Sequence, residues 1–129
     1  MKGETKIWLT YATENLEAAK ILLEQNLYNP CLQNVQQGIE KSLKALLFEK
    51  VHLRRKTHSI TELIRILQEH QFNLILTEDE CDLLDAIYLP SKYPLAGVLP
   101  DFEPDVSLCR QCVILAERVA EQVRKVIEA

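Results

Sequence analysis

The segment 52–58, "HLRRKTH", is the densest group of residues that could bind or transform a ligand. It contains three permanent cations: Arg54, Arg55 and Lys56. Arginine binds phosphate oxygens in pairs through its planar guanidinium, and lysine adds a compact point charge. Ser59 and Glu62 predict a capping box directly after the segment, which would place a helix N-terminus and its partial positive charge beside His58. This combination favours a phosphate-binding site. The alternative is a solvated basic loop in which His58 bonds a backbone carbonyl.

A second polar group lies in the segment 36–47, "QQGIEKSLKALL". Gln36, Glu40 and Lys44 are spaced by four residues and therefore share one face of a helix. That face adjoins the apolar stripe of the same helix, so Glu40 needs a partner wherever it leaves water. The alternative is a Glu40–Lys44 pair on a solvated helix face.

The third group is "YLPSKYP", residues 88–94, which follows a predicted helix. A lysine and aromatic rings can hold a phosphate and stack a base, so Tyr88, Lys92 and Tyr93 are candidate ligand-binding residues. The structural alternative makes the two tyrosines core rings with bonded hydroxyl groups. Lys92 would then pair with Glu40 and fix the loop.

Catalysis is the alternative to binding. His58 could act as general base near neutral pH, with Arg54 or Arg55 nearby, in a metal-independent ribonuclease. Arg65 and His70 also match an Arg–four residues–His spacing, but five helical steps of about 100° put their side chains about 140° apart, so we take this match as chance. The sequence shows no glycine-rich phosphate loop, no metal-ligand cluster and no nucleophile motif, and we expect neither metal nor cofactor.

Length and composition indicate one domain, residues 1–129, of ordinary globular character, with 47% hydrophobic and 26% charged residues. Only three glycines occur, which argues against a β-rich fold with many tight turns. The net charge of −4 disfavours a whole-surface attraction to nucleic acid and slightly favours protein partners, although a local basic patch could still bind phosphate.

The chain contains four cysteines: Cys31, Cys81, Cys109 and Cys112. Its charged start has no apolar signal segment, and no run of about 18 apolar residues predicts a membrane span, so we expect a cytoplasmic protein with free thiols. The "CRQC" at 109–112 has metal or redox spacing. Because zinc would need two further ligands that no motif supplies, we expect buried helix cysteines instead.

Apolar periodicity and capping signals predict five helices, over about 5–25, 30–50, 60–70, 78–89 and from 104 or 105 almost to the end. Asn29 is the expected N-cap of the second helix, with Pro30 at its first position. Thr77 and Glu80 predict a second capping box. The prolines from Pro90 onwards are expected to keep the stretch before the last helix out of helix.

The last helix carries a wide apolar face. One stripe alternates spacings of three and four residues: Val106, Cys109, Val113, Ala116, Ala120, Val123 and Ile127. A second stripe lies beside it: Cys112, Leu115, Val119 and Val126. Such a helix should contact more than one partner helix. We therefore predict an all-α fold, an up-and-down four-helix bundle with an additional helix.

Three segments, in order, resemble the HEPN family, named for higher-eukaryote and prokaryote nucleotide-binding domains. They are "QQGIEKSLKALL", "KTHSITEL" and "LLDAIYLPSKYP". The opening "YATENLEAAKILLEQNLYNPC" also fits, so the resemblance spans nearly the whole chain. Lys92 stands where the family motif has arginine, which keeps the charge and loses the planar fork. The last helix has no histidine, so the Arg–His pair of the ribonuclease branches is missing there.

The resemblance implies a homodimer that works with a separately encoded small nucleotidyltransferase in a prokaryotic toxin–antitoxin module. It also implies nucleotide or RNA phosphate binding, with Glu40 as a structural polar partner. The residues expected to bind are Lys44, Arg55, His58, Tyr88, Lys92 and Tyr93. A dimeric adaptor without a ligand is the remaining alternative.

Overall fold

The computed structural model describes the backbone of residues 1–92 and 103–129 and the side chains of residues 1–88 and 103–129. Five α-helices run through it: α1 Gly3–Glu24, α2 Tyr28–Leu46, α3 Ile60–Glu69, α4 Glu78–Lys92 and α5 Val106–Glu128. No strand occurs in these ranges. The predicted all-α bundle is therefore confirmed.

The start of α2 differs from the prediction. The helix begins at Tyr28 with Leu27 in the N-cap position, so Asn29 is not the cap. The first intrahelical bond runs from the Cys31 amide to the Leu27 carbonyl (3.1 Å). Pro30 therefore lies inside the first turn rather than at its first position. Its missing N–H still costs nothing there, because amides of the first turn have no intrahelical acceptor.

At its other end α2 passes into a π-helical turn, Leu47–Val51. His52 ends this turn in the left-handed region, at φ 62°. Such a conformation is uncommon for a residue other than glycine. π-helical turns are rare in proteins, and those that occur are often found at functional sites. The turn carries Phe48 and leads into the connector, residues 52–59, that holds the basic segment.

The two predicted capping boxes form to different extents. At α3 the Glu62 amide donates to the Ser59 hydroxyl (3.1 Å), but the Ser59 amide donates to the Thr57 hydroxyl instead of to Glu62. Before α4 the box is complete: the Thr77 amide bonds Glu80 at 2.9 Å and the Glu80 amide bonds Thr77 at 3.1 Å. Both helices thus begin close to where the sequence predicts.

The end of α4 was predicted wrongly. The helix continues through Pro90 to Lys92 instead of ending at Leu89. A proline beyond the first turn removes one intrahelical bond and crowds the carbonyl four residues back, and only Ser91 and Lys92 follow Pro90 before the helix ends. The expectation for Pro94 and Pro100 lies outside the described residues. Asp105 then caps α5, accepting the Leu108 amide at 2.8 Å, and the helix begins at Val106, close to the predicted start.

The second helix occupies the centre of the bundle. It packs against all four other helices, and its antiparallel neighbour α1 is joined to it by a short turn. The α5 face that the two stripes define is largely buried against α2 and α1, so the expectation of several partner helices is confirmed. The centre of the core is aliphatic: Leu32, Ile39, Leu43, Leu46, Leu63 and Leu84 are fully buried there.

All four cysteines are free and buried in helices, as expected. Burial disfavours the thiolate and raises the pKa of Cys81 to about 11 and the pKa values of Cys109 and Cys112 to about 12. These thiols are therefore protonated and poorly nucleophilic at neutral pH. None of the described helices combines the length and apolarity needed to cross a bilayer.

Candidate anion-binding site

Glu40 lies at the centre of a buried polar cluster on α2. Its Oε2 accepts from the Lys44 ammonium at 3.0 Å, and its Oε1 lies 3.0 Å from His58 Nδ1. The side chains of Glu40 and Lys44 are only 4% and 9% exposed, so the pair lies in the protein rather than on a solvated face. Each buried charge is therefore held by its opposite, which is the condition for ionised side chains to leave water at tolerable cost.

Gln36 attaches the connector to the same helix. Its Nε2 donates to the His58 backbone carbonyl at 3.0 Å and lies 3.4 Å from Glu40 Oε1, and its own carbonyl accepts from Gln37 at 2.8 Å. His58 is thus tied to α2 through both its backbone and its ring. The ring contacts the Glu40 carboxylate rather than a backbone carbonyl.

Tyr88 of α4 packs against the face of the His58 ring. The two rings are stacked, with centroids 5.1 Å apart and planes inclined by 15°. The structure thus brings Tyr88, His58, Glu40 and Lys44 into one continuous chain of contacts. The His58 side chain remains 53% exposed, so this chain opens to solvent.

The N-terminus of α3 is already occupied by a carboxylate. Asp85 of α4 accepts from the amides of Ile60 and Thr61 at 2.6 and 3.2 Å and from the Ser59 hydroxyl at 2.9 Å. The partial positive charge that the sequence assigned to a phosphate cradle is therefore used to hold α4 against the connector. A phosphate would have to bind elsewhere on the basic segment.

Arg54 is also engaged within the fold. Its guanidinium forms a two-point contact with Glu4 of α1, with N–O distances of 2.9 and 3.0 Å, and lies over the Phe48 ring at 4.7 Å. The contact with Arg54 holds the pKa of Glu4 below its ordinary value, and it raises the pKa of Arg54. Arg54 therefore joins the connector to α1 instead of pointing towards His58.

The neighbouring cations are different. Arg55 and Lys56 are exposed, and within residues 1–88 and 103–129 no carboxylate lies close enough to pair with either. Within the described part of the chain, the Arg55 side chain bonds only the backbone carbonyl of Arg54, at 3.3 Å. Two positive charges thus stay available to an anion from outside.

These cations stand beside a cavity of about 390 Å³ between α1, the π-helical turn and the connector. We call it the connector cavity. Its lining combines apolar and cationic side chains: Trp8, Phe48, Leu53, Lys44, Arg54, Arg55 and Lys56. Lys44 belongs to both regions, since its ammonium bonds Glu40 and lies 5.8 Å from the centre of the Trp8 ring.

The other residues that the sequence singled out either lie outside the described residues or are not part of this group. The Lys92 side chain and Tyr93 lie outside the described residues. Arg65 is exposed on α3, whereas His70 follows the helix end and bonds the Ile66 carbonyl through Nδ1 at 2.9 Å. In the described ranges no group of three or more His, Cys, Asp or Glu side chains is placed to hold a metal ion.

Among the site residues that were not predicted are Trp8, Phe48, Leu53 and Asp85. Trp8 carries a usable signal, because it is the only tryptophan and stands at the edge of the apolar stripe of α1. Phe48 could not be found from a regular helical period, since the π-helical turn changes the direction of its side chain. Asp85 is one of several acidic residues on α4, and no local pattern distinguishes it.

Comparison with known proteins agrees with this architecture. The model of the HEPN domain family matches residues 5–126. The crystal structure of TT1696 from Thermus thermophilus is similar, with a TM-score of 0.76, 25% sequence identity and 96% of this chain and 98% of that chain covered. The crystal structure of ST0689, an archaeal HEPN homologue, has a TM-score of 0.72 and 26% identity, over 98% of this chain and 99% of that one.

A comparison with curated proteins gave no match. The family match covers nearly the whole described chain, and two solved structures share both the fold and the full length. This chain therefore belongs to the HEPN domain family.

Proposed function

We propose that this HEPN protein binds the phosphate of a nucleotide or of RNA at the connector cavity, with Arg55 and Lys56 as the groups that contact it. One observation carries the proposal: of the four cations that line the cavity, Lys44 and Arg54 have carboxylate partners, whereas Arg55 and Lys56 have none among the described residues. An exposed guanidinium next to an ammonium can hold a phosphate without first breaking an internal ion pair.

The other predicted binding residues support this site from the side. Lys44 is neutralised by Glu40, so it shapes the cavity and contributes to its field rather than supplying an unpaired charge. His58 and Tyr88 form a stacked ring pair at the neighbouring surface, where a further base of an RNA strand could stack. Lys92 and Tyr93 remain part of the proposal on the strength of their sequence motif.

The proposed setting is a prokaryotic toxin–antitoxin module in which the protein is a cytoplasmic homodimer and works with a separately encoded nucleotidyltransferase. Similarity to proteins from Thermus thermophilus and an archaeon supports the prokaryotic origin. Four free thiols favour a reducing compartment. The partner rests on the motif resemblance alone, and co-purification with the product of a neighbouring nucleotidyltransferase gene would test it.

The binding proposal is tested by calorimetric titration of the full chain with the four ribonucleoside 5′-monophosphates and with a short single-stranded RNA. Arg55→Gln/Lys56→Gln should weaken binding at least about tenfold, because each contact with a charged group contributes about 1.5–3 kcal/mol. The matched control is Arg110→Gln/Arg118→Gln, which removes the same charge from exposed positions of α5. Equal losses in both variants, or no binding by the wild type, would contradict the proposal.

A second candidate function is a metal-independent ribonuclease. The Glu40–His58 contact favours it, because a carboxylate that orients a histidine is a common arrangement for a general base. Arg54 is held by Glu4, so Arg55 would have to stabilise the charge on phosphate. Incubating the protein with cellular RNA in EDTA, beside His58→Ala, distinguishes the two functions. Cleavage by the wild type alone would establish the ribonuclease, and no cleavage by either would leave the binding function.

A further inference from the structure

We infer that the connector cavity is a base pocket: its Trp8–Phe48–Leu53 walls take the planar heterocycle of a single nucleotide while Arg55 and Lys56 hold the phosphate. This inference rests on the proposed function and adds to it the part of the ligand that the protein recognises. The site would thus bind a nucleoside monophosphate unit, and a bare phosphate or a sugar phosphate would bind only weakly.

The walls of the cavity have the chemistry that a base requires. Trp8, Phe48 and Leu53 are all half-buried, so each offers part of its apolar surface to the cavity. Aromatic side chains stack with every base because every base has a π-face. A phosphate alone would gain nothing from these walls. An apolar interior next to cations that have no carboxylate partner among the described residues therefore fits a ligand that has both a flat ring and an anionic group.

The fold also holds these walls in place. The Phe48 ring is fixed by two cations, Lys2 at 4.9 Å and Arg54 at 4.7 Å from its centre, so it serves as an apolar wall of the cavity and Trp8 is the ring on which the base stacks. Lys2 is held in turn, through its backbone amide, by Glu49 at 2.9 Å. Contacts of this kind lower the cost of ordering the site when a ligand enters. The π-helical turn, which presents Phe48, thus belongs to a preformed cavity.

Volume limits the ligand to one unit. At about 390 Å³ the connector cavity is near the lower end of the range for small-molecule sites, about 300–1,000 Å³. The wider groove between α1 and α5, about 690 Å³, is unsuitable for an anion. Its charged side chains are mainly carboxylates: Glu14, Glu17, Glu117 and Glu121 against Lys20 and Arg124.

The test uses Trp8, which is the only tryptophan of the chain and lines the pocket, so its fluorescence reports directly on the base. The full chain is titrated with adenosine 5′-monophosphate, its three ribonucleotide counterparts and ribose 5-phosphate. A stacked base should quench the emission, and ribose 5-phosphate should leave it unchanged. The affinity for at least one nucleotide should exceed that for ribose 5-phosphate by about tenfold or more.

Two variants separate the base from the phosphate. Trp8→Leu and, in case that side chain is needed for folding, Phe48→Leu should each weaken nucleotide binding by about tenfold in calorimetry and leave ribose 5-phosphate binding unchanged. Arg55→Gln/Lys56→Gln should weaken both ligands together. Thermal midpoints near the wild-type value show that each variant is folded.

The outcomes distinguish the inference from the function on which it rests. If nucleotide and ribose 5-phosphate bind equally and the Trp8 and Phe48 variants change neither, the base pocket is wrong and phosphate binding stands. If nucleotides quench Trp8 but the Arg55 and Lys56 variant binds them as well as the wild type, the phosphate assignment is wrong and the base pocket stands. If no nucleotide binds, both are wrong.

Discussion

Two adjoining regions of this protein share Lys44 and hold their charges in opposite ways. In the buried cluster around Glu40, both carboxylate oxygens have partners, Lys44 on one side and His58 on the other. Beside the connector cavity, Arg55 and Lys56 stay exposed and lack a carboxylate partner in the described part of the chain. The first arrangement is what a folded core demands of ionised groups, whereas the second leaves charge for a ligand.

Cationic residues within one short segment can therefore have different roles, structural for some and ligand-binding for others. Arg54 is adjacent to Arg55 in the sequence, yet its guanidinium is held by Glu4 and by the Phe48 ring. Arg55 and Lys56 follow it directly but have no carboxylate opposite them among the described residues. Substitutions in the Glu40 cluster and at Arg54 should therefore affect stability, and those at Arg55 and Lys56 should affect binding.

The largest effect is expected from Glu40→Gln. Removing one member of a buried ion pair leaves the Lys44 ammonium uncompensated, which typically costs about 3–5 kcal/mol. Urea unfolding of the wild type and the variant measures this loss. The matched control is Glu121→Gln, which breaks an exposed Glu–Lys pair of the same spacing with Lys125 and should cost about 0.5 kcal/mol or less. Similar losses in the two variants would contradict the assignment of the Glu40 cluster to the core.

A smaller effect is expected from Asp85→Ala. Asp85 accepts two backbone amides and a hydroxyl at the start of α3, so its loss leaves several donors of the helix N-terminus without a protein partner. We expect a destabilisation of about 2 kcal/mol, at the upper end for a capping residue. Asp105→Ala, which removes a cap with one accepted amide from α5, should cost about 1 kcal/mol in the same unfolding experiment.

The two Asp variants should also differ in their effect around His58. Asp85 holds the connector next to His58, so its loss should alter the local environment of the stacked His58–Tyr88 pair. Asp105 lies at the start of a different helix, and its loss should not. An Asp85 variant no less stable than the Asp105 variant would show that the α3 N-terminus is not held by α4.

The helices were predictable from sequence because their causes are local. Apolar periodicity gave their number, and the capping pair of Thr77 and Glu80 gave the start of α4. The errors arose where local signals were incomplete. Asn29 follows a chain reversal that sets the helix start at Tyr28. A proline disfavours a helix through its missing N–H and its ring, yet neither effect ended α4 before Lys92, two residues beyond Pro90.

The candidate site was predictable only in part. The four-residue spacing of Gln36, Glu40 and Lys44 places them on one face, and the sequence left open whether that face is buried. Whether a cation is paired depends on residues far along the chain. Glu4, which pairs with Arg54, lies 50 positions away from it. No pattern within the basic segment could therefore separate Arg54 from Arg55 and Lys56.

The smallest effect tests that separation through pH. Because Arg54 lowers the folded-state pKa of Glu4 below its ordinary value of 4.5, this contact stabilises the fold above that value. The contribution should be lost as the pH falls below 4.5 through the lowered pKa. Arg54→Gln should therefore lower the thermal midpoint slightly at pH 7, and its difference from the wild type should shrink on acidification. A pH-independent remainder is expected from the lost packing on Phe48.

The control for this prediction is Arg55→Gln, whose thermal midpoint should match that of the wild type across this pH range. An equal, pH-dependent loss in that variant would show that Arg55 too is held within the fold.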